Sequence, residues 1–383
     1  MARDDAVADE GLALRVRQRA PIPLDAELAC APGEVLVLVG PSGSGKSSLL
    51  RCIAGLLTPA EGRIVCAGET WLDTARGVDV PTPRRRIGLV FQSYALFPHL
   101  TALENVMEGL GDLPAGERPA RAQALLRLVH LAGLEDRTPR RLSGGQQQRV
   151  AVARALARDP HVLLLDEPFS AVDRSTRERL YGELVELRRQ LRMPVILVTH
   201  DLDEATMLAD RMCVLSHGRT LQSGTPLEVL QRPASVAVAR LVGLKNIFDG
   251  EVVGHDRGAE TTLLRWQGRR LTVALQEAFP PGSAVAWAIP AAGVLLLGPD
   301  QGARGPRDTL VEGTIATLTT LGDQVRAAIR VPGAEPSFLF TTVPRHLAAR
   351  YELAEGRPLT FRLRGESIWL LPPDDANQKS AGG

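Results

Sequence analysis

Short apolar runs alternate with helix-periodic stretches through the first 240 residues. Val35–Val39 (Val-Leu-Val-Leu-Val) ends at Gly40, and Ser47–Leu57 then shows helical spacing. Further apolar runs lie at Ile87–Phe91, Val162–Asp166, Val195–Thr199 and Met212–Ser216. After residue 160 they alternate with helix-like stretches at Thr176–Leu191 and Leu202–Ala209. Runs without polar alternation predict strands buried on both faces. Helices between them predict crossovers, hence a largely parallel α/β sheet. Glu104–Leu134 and Gln146–Arg158 read as helices, placing a helical insert at about residues 93–158. The pattern changes near Pro233. From Asn246 to Pro372 it becomes short strands punctuated by Gly and Pro, with one helix at about Val343–Tyr351. A Gly/Pro/Asp/Arg-rich connector at Gly298–Asp308 divides this region, and Pro281–Leu297 resembles Glu355–Leu371 in its order of turns and strands. The expected architecture is an α/β domain over 10–240 and a mostly-β barrel domain over 241–372. The barrel domain is two small lobes, or one barrel built twice. Residues 373–383 read as a disordered tail.

Composition narrows the class. The formal net charge of +1 supplies no global field for nucleic acid or an anionic membrane. No uninterrupted apolar stretch is long enough to cross a bilayer as a helix, and Met1–Glu10 is acidic without an apolar targeting segment. Cys30, Cys52, Cys66 and Cys213 show no metal spacing and are expected to be buried apolar residues. A reduced, cytoplasmic protein is expected. Arginine outnumbers lysine 42 to 3, which reads as genome composition, and Lys46 is the only lysine before Lys245.

Lys46 stands in a motif. Gly40-Pro41-Ser42-Gly43-Ser44-Gly45-Lys46-Ser47-Ser48 fits G-x-x-x-x-G-K-[ST] between an apolar strand and a helix. Its backbone N–H groups and a helix N-terminus form an anion nest, Lys46 reaches the β- and γ-phosphates, and the Ser47 hydroxyl ligates Mg²⁺. Val162–Asp166 delivers Asp166 at a strand tip, where open α/β sheets bind ligands. Asp166 is expected on Mg²⁺ and Glu167 on the attacking water. A solvated, helix-capping acid pair is the plainer alternative. Ser143-Gly144-Gly145-Gln146 opens a second helix and gives a second anion-binding end. One ATP does not need both ends from one chain, so a dimer in which each chain closes the other's ATP site is expected. An ordinary N-cap is the alternative.

With these motifs the chain resembles the ATP-binding subunits of ATP-binding-cassette (ABC) transporters over about residues 10–240. Gly40–Ser48 matches the Walker A loop, Leu142–Gln146 the LSGGQ signature and Val162–Glu167 the Walker B strand. Phe91-Gln92 matches the Q-loop, Ser170–Asp173 the D-loop and Thr199-His200-Asp201 the switch histidine. The resemblance implies a P-loop NTPase cassette that binds ATP and Mg²⁺, with Gln92 on the metal and Glu167, His200 and Gln92 serving catalysis. It places Asp173 at a homodimer seam. It also implies that Gln92–Leu100, with Tyr94, Leu96 and Phe97 exposed, receives a helix of a membrane subunit; core packing is the alternative for Leu96 and Phe97.

The β-rich half resembles the oligonucleotide-binding-fold (TOBE/OB-like) regulatory domain of importer ATPases. That implies separate permease subunits, a periplasmic or surface substrate-binding protein, and a peripheral place on the cytoplasmic face of the inner membrane. Gly68–Phe91 looks like molybdate-type relatives, so the expected cargo is an oxyanion such as molybdate, tungstate or sulfate, with ferric iron or polyamine as the alternative. Arg84–Arg86 is expected to be a solvated strand edge. One departure stands out: relatives stack an aromatic on adenine shortly before Walker A, yet the first aromatic here is Trp71. Val16, Ile22 or the Arg17 guanidinium must replace it, with weak base discrimination expected. A soluble cassette ATPase acting on nucleic acid or a protein complex is the rival class. Near-zero net charge and a single tyrosine, Tyr351, in the β region argue against nucleic acid.

Overall fold

The computed structural model describes residues 10–170, 172–297, 305–333 and 338–373. The first nine residues, Ala171, most of the 298–308 connector and the tail from 374 lie outside the described residues. The chain divides into two compact units, Met1–Pro226 and Leu227–Gly383.

Among the described residues of the first unit, eleven strands make one sheet. They are β1 (Leu12–Gln18), β2 (Leu24–Cys30), β3 (Val35–Val39), β4 (Glu61–Cys66), β5 (Glu69–Asp73), β6 (Val78–Asp79), β7 (Ile87–Val90), β8 (Val162–Asp166), β9 (Val195–Thr199), β10 (Arg211–Ser216) and β11 (Arg219–Gly224). Their order is β6-β5-β4-β1-β2-β11-β10-β3-β9-β8-β7. The predicted parallel sheet is the half β10-β3-β9-β8-β7. Every residue of β3 and β9 is buried, as continuous apolar runs require. The other half is antiparallel except where β11 meets β2 in a short parallel pairing at Arg219–Asp25, and it is not apparent in the apolar runs. In β1, Leu12, Leu14 and Val16 point inward while Arg15 and Arg17 point out, so the strand reads as alternation.

Helix α1 (Lys46–Ala54) follows the glycine-rich loop. The helical insert contains α2 (Ala102–Met107), α3 (Arg118–Leu128) and α4 (Gly144–Leu156). Glu104–Leu134 is therefore not one helix. Gly109, Gly111 and Pro114 lie in its interruption, where a short 3₁₀ turn covers Glu108–Leu110. Helices α5 (Arg174–Arg188) and α6 (Leu202–Leu208) match the two later helical stretches to within a few residues. All four cysteines are buried.

The expectation for Arg84–Arg86 fails at Arg85, which is 1% exposed. Its Nε donates to Val80 O at 2.7 Å, and Nη1 donates to Cys52 O and Ile53 O at 2.8 Å each. Its Nη2 meets Asp79 Oδ1 at 3.0 Å and Trp71 O at 3.4 Å. A planar fork satisfies the open carbonyls at the C-terminal end of α1 and places a cation against its dipole.

The second unit opens with α7 (Pro226–Gln231), which starts at the boundary, and α8 (Val236–Leu241). Strands β12 (Asn246–Asp256), β13 (Thr261–Trp266), β14 (Arg269–Ala274), β15 (Ala284–Ile289), β16 (Val294–Leu296), β17 (Asp308–Leu321), β18 (Gln324–Arg330) and β19 (Phe338–Pro344) follow. Helix α9 (Arg345–Arg350), β20 (Pro358–Arg364) and β21 (Trp369–Leu371) complete it. The sheets run β14-β13-β12-β15-β21 and β16-β20-β17-β18-β19. Each half therefore lends its last strand to the other half's sheet, and the halves are not separate lobes. One core draws on both, with Phe248, Trp266 and Trp287 packed at centroid distances of 4.8–5.3 Å beside Val311, Phe361 and Leu370. This unit is the mostly-β, OB-like barrel domain.

Candidate functional site

Strands β3, β8 and β9 end side by side, and the chemistry-bearing residues sit at those C-terminal ends. The loop Gly40–Gly45 bends back on itself, with Ser44 N donating to Pro41 O at 3.1 Å and Gly218 N donating to Ser44 O at 2.9 Å. Gly45 has φ +97°, and a Cβ there would stand 2.9 Å from the Leu24 side chain, so only glycine fits. Lys46, 5% exposed, donates from Nζ to Gly40 O at 2.8 Å and Pro41 O at 2.9 Å. Burial lowers its pKa below the ordinary amine value, and the nearby Glu167 and Asp166 carboxylates oppose that. The Ser44 hydroxyl is buried without a hydrogen-bond partner, an orphaned donor inside the loop.

Ser47 Oγ donates to Asp166 Oδ1 at 2.9 Å, joining the start of α1 to the tip of β8. Burial raises the Asp166 pKa and the Ser47 bond counters it. These two hard oxygen donors fit Mg²⁺, which takes one or two protein oxygens and completes its shell with phosphate and water. Gln92, just past β7, comes to this neighbourhood through its side chain. Its Nε2 donates to Glu167 Oε2 at 3.3 Å, and His200 Nδ1 approaches the same oxygen at 3.3 Å. The three residues expected to serve catalysis thus converge on one carboxylate oxygen. Glu167 has φ +45°, and its N–H donates to Val198 O at 3.0 Å, turning the side chain off the strand line.

Ser143 and Gln146 close a capping box on α4: Gln146 N–H donates to Ser143 Oγ at 3.3 Å and Ser143 N–H donates to Gln146 Oε1 at 3.0 Å. Gly144 and Gly145 form the first turn of that helix. Asp173 is exposed and precedes α5.

Three residues escaped the sequence reading. Tyr94 is not exposed: it is 4% exposed, and its hydroxyl donates to Pro168 O at 3.0 Å, fastening the segment after Gln92 beside Glu167. Arg154 of α4 donates to Tyr94 O at 3.0 Å and Ala95 O at 2.9 Å, and lies over the Phe97 ring. Glu204 is buried at 4% exposure and accepts from Thr199 Oγ1 at 2.8 Å. Burial pushes its pKa up to about 7. Of the residues after Gln92, Phe97 is 42% exposed, as is Phe91 before it; both line an open groove with Leu89, Ala95 and Arg154. Of the adenine candidates, Val16 drops out, since its side chain is 1% exposed and packs in the core. The Arg17 side chain is 59% exposed and Ile22 is 38% exposed. Asp25 pairs with Arg17 at 3.5 Å, and its N–H donates to Gly218 O at 2.7 Å, which links Arg17 to Ser44 through Gly218.

The ABC transporter family model matches residues 24–170. The chain is 43% identical over 257 residues to the spermidine/putrescine import ATP-binding protein PotA of Oleidesulfovibrio alaskensis, covering 67% of this chain and 64% of that protein. It is 47% identical over 232 residues to the Fe(3+) ions import ATP-binding protein FbpC of Rhizobium etli, covering 60% and 64%. With FbpC of Streptomyces coelicolor the identity is 42% over 327 residues, covering 85% and 87%. The match thus spans just under two thirds of the first two relatives' own length. Among solved structures, cbiO1 from Clostridium perfringens, part of the ABC transporter complex cbiONQ, superposes with a TM-score of 0.52 at 30% identity, covering 58% of this chain and 90% of that one. The chain belongs to the ABC transporter family.

Proposed function

We propose that the chain hydrolyses ATP to drive an importer, and that it works as a homodimer on separate permease subunits served by a substrate-binding protein. The observation that carries this is the convergence of Gln92 and His200 on Glu167, beside the Ser47–Asp166 pair and Lys46. Lys46 leaves the loop carbonyls for the β- and γ-phosphates, and the loop N–H groups hold the phosphate oxygens. Ser47 and Asp166, with the Gln92 side chain, hold Mg²⁺, which when bound neutralises phosphate charge. Glu167 orients and polarises the attacking water, and His200 donates to the γ-phosphate while steadying Glu167. Ser143, Gly144, Gly145 and Gln146 close over the partner's ATP, and Asp173 lies at the seam. The Phe91–Phe97 groove receives a permease helix, which sets the chain on the cytoplasmic face of the membrane.

For the cargo, the relatives named above carry polyamine and Fe(3+) names and give the oxyanion expectation no support. We infer a cationic cargo, ferric iron or a polyamine. Glu167→Gln tests the catalytic core: ATP binding persists, turnover falls by about 10²-fold or more, and an ATP-bound dimer accumulates in size-exclusion chromatography. Parental turnover in the variant sinks the role given to Glu167. Uptake of labelled iron and spermidine in a deletion strain decides the cargo.

A further inference from the structure

His200 has little to hold it. Its side chain is 61% exposed, and its one ion-pair partner among the described residues is Glu167, at 3.3 Å. Its direction is therefore set by the backbone on either side, and both neighbours are pinned. Thr199, 2% exposed, donates from Oγ1 to Glu204 Oε2 and accepts from Asp201 N–H at 3.0 Å. Asp201 Oδ1 caps α6, accepting from Asp203 N–H at 2.9 Å and Glu204 N–H at 3.2 Å. Asp201 Oδ2 accepts from Arg177 Nη1 at 3.4 Å, and Arg177 Nη2 donates to Val172 O at 3.0 Å.

The arrangement departs from an ordinary capping box. Glu204, three residues after the capping Asp201, would normally return to the Asp201 N–H. Here the Thr199 hydroxyl is inserted between them, so the box grips the residue before His200 as well as the one after it. Glu204 stays buried for this contact alone: its second oxygen has no partner. Arg177 then carries the grip to another segment. Val172 follows the turn that begins at Glu167, where Ser170 N–H donates to Glu167 O at 3.2 Å and Val172 N–H to Phe169 O at 3.2 Å. One guanidinium fork thus ties the strand end bearing His200 to the segment bearing Glu167. Lysine, a point donor, does not bridge the two acceptors in the same plane.

We propose that Glu204 and Arg177 are positioning residues for His200, and that Arg177 couples its placement to the backbone at Val172; this rests on the ATPase reading above. In steady-state assays of the full chain with Mg-ATP, Arg177→Met and Glu204→Leu each lower kcat about tenfold, while KM stays within about twofold. Glu204→Gln keeps an acceptor for Thr199 and restores turnover. Thr199→Val, which preserves the volume, reproduces the Glu204→Leu loss without a large cavity. In a His200→Ala background none of these changes lowers kcat further, because the group they position is gone. Parental kcat in both Arg177→Met and Thr199→Val, or losses that multiply with His200→Ala, overturns the proposal. Parental protein without ATPase activity sinks the ATPase reading itself, and the proposal with it.

Discussion

Glu204→Gln changes one atom in the buried grip on Thr199 and should make the protein more stable at high pH. The Glu204 pKa is pushed from 4.5 up to about 7, first by burial, with the Asp201 and Glu167 charges adding and the Thr199 bond and Arg177 opposing. Tyr181 is a further titratable group in this cluster, its pKa raised to about 12 by burial and by the Glu204 and Asp201 charges. The sign follows from proton binding. The folded state keeps a proton that the unfolded chain releases above pH 4.5. Glu204 therefore contributes stability that is complete below pH 4.5 and is lost as pH rises through about 7. A shift from 4.5 to about 7 corresponds to roughly 3 kcal/mol, an order-of-magnitude figure. Glutamine keeps the volume and the acceptor but carries no charge, so the loss disappears. Urea unfolding of parental and variant protein at pH 5 and pH 8 reads this directly. Part of the loss has already set in at pH 5, so the variant's advantage at pH 8 should exceed that at pH 5 by about 2–3 kcal/mol, and its Tm advantage by about 5–10 °C for a unit of this size. Comparing two pH values cancels any cost of an unpartnered amide. An equal stability difference at both values refutes the reasoning.

Two further predictions concern the C-terminal end of α1 and the adenine candidate Arg17. Arg85→Lys replaces five donors with three and leaves carbonyls at the end of α1 unpaired, so the first unit should lose roughly 3 kcal/mol; an unchanged urea midpoint would show that the fork holds nothing. Arg17→Ala should raise KM for ATP, GTP and ITP alike by about three- to fivefold, the worth of an exposed cation–π contact. A strong parental preference for ATP over GTP would remove Arg17 from that role.

The places of the phosphate-loop motif, both acids, the glutamine and the histidine were legible because each follows directly on an apolar run that becomes a parallel strand. The parallel strands were legible because burial on both faces leaves only apolar letters. What stayed hidden had opposite causes. In β1 and β4, arginine and glutamate on the outer face broke up the apolar runs. Arg85 sits between two other arginines, and nothing in Arg-Arg-Arg says that the middle one turns inward. Glu204 follows a capping aspartate at the spacing of an ordinary surface cap, so its letter reads as solvated. The signature segment matches a sequence pattern, but the partner surface it is proposed to meet belongs to another copy of the chain.

The second unit shows how a repeat in sequence need not make a repeat of independent bodies. The two halves looked like lobes because each ends in a similar turn and apolar strand. The pairing exchanges those strands: β16 lies on β20 of the later half, and β21 lies on β15 of the earlier half, with Trp287 opposite Leu370. Ending the chain after Arg364 therefore removes an edge from the earlier half's sheet. Ile368, Leu370 and Leu371 are each no more than 2% exposed. At about 1.5–3 kcal/mol per buried aliphatic side chain their loss removes roughly 5–9 kcal/mol, comparable to the whole stability of a domain. Trp266 and Trp287 lie in the earlier half, far along the chain from the cut, and report on it by near-ultraviolet circular dichroism and fluorescence. Their native signals should vanish on truncation, while Trp71 in the first unit stays buried. Retention of the native Trp266 and Trp287 signals would mean that the earlier half folds without the borrowed strand, and that the exchange decorates two lobes rather than locking one body.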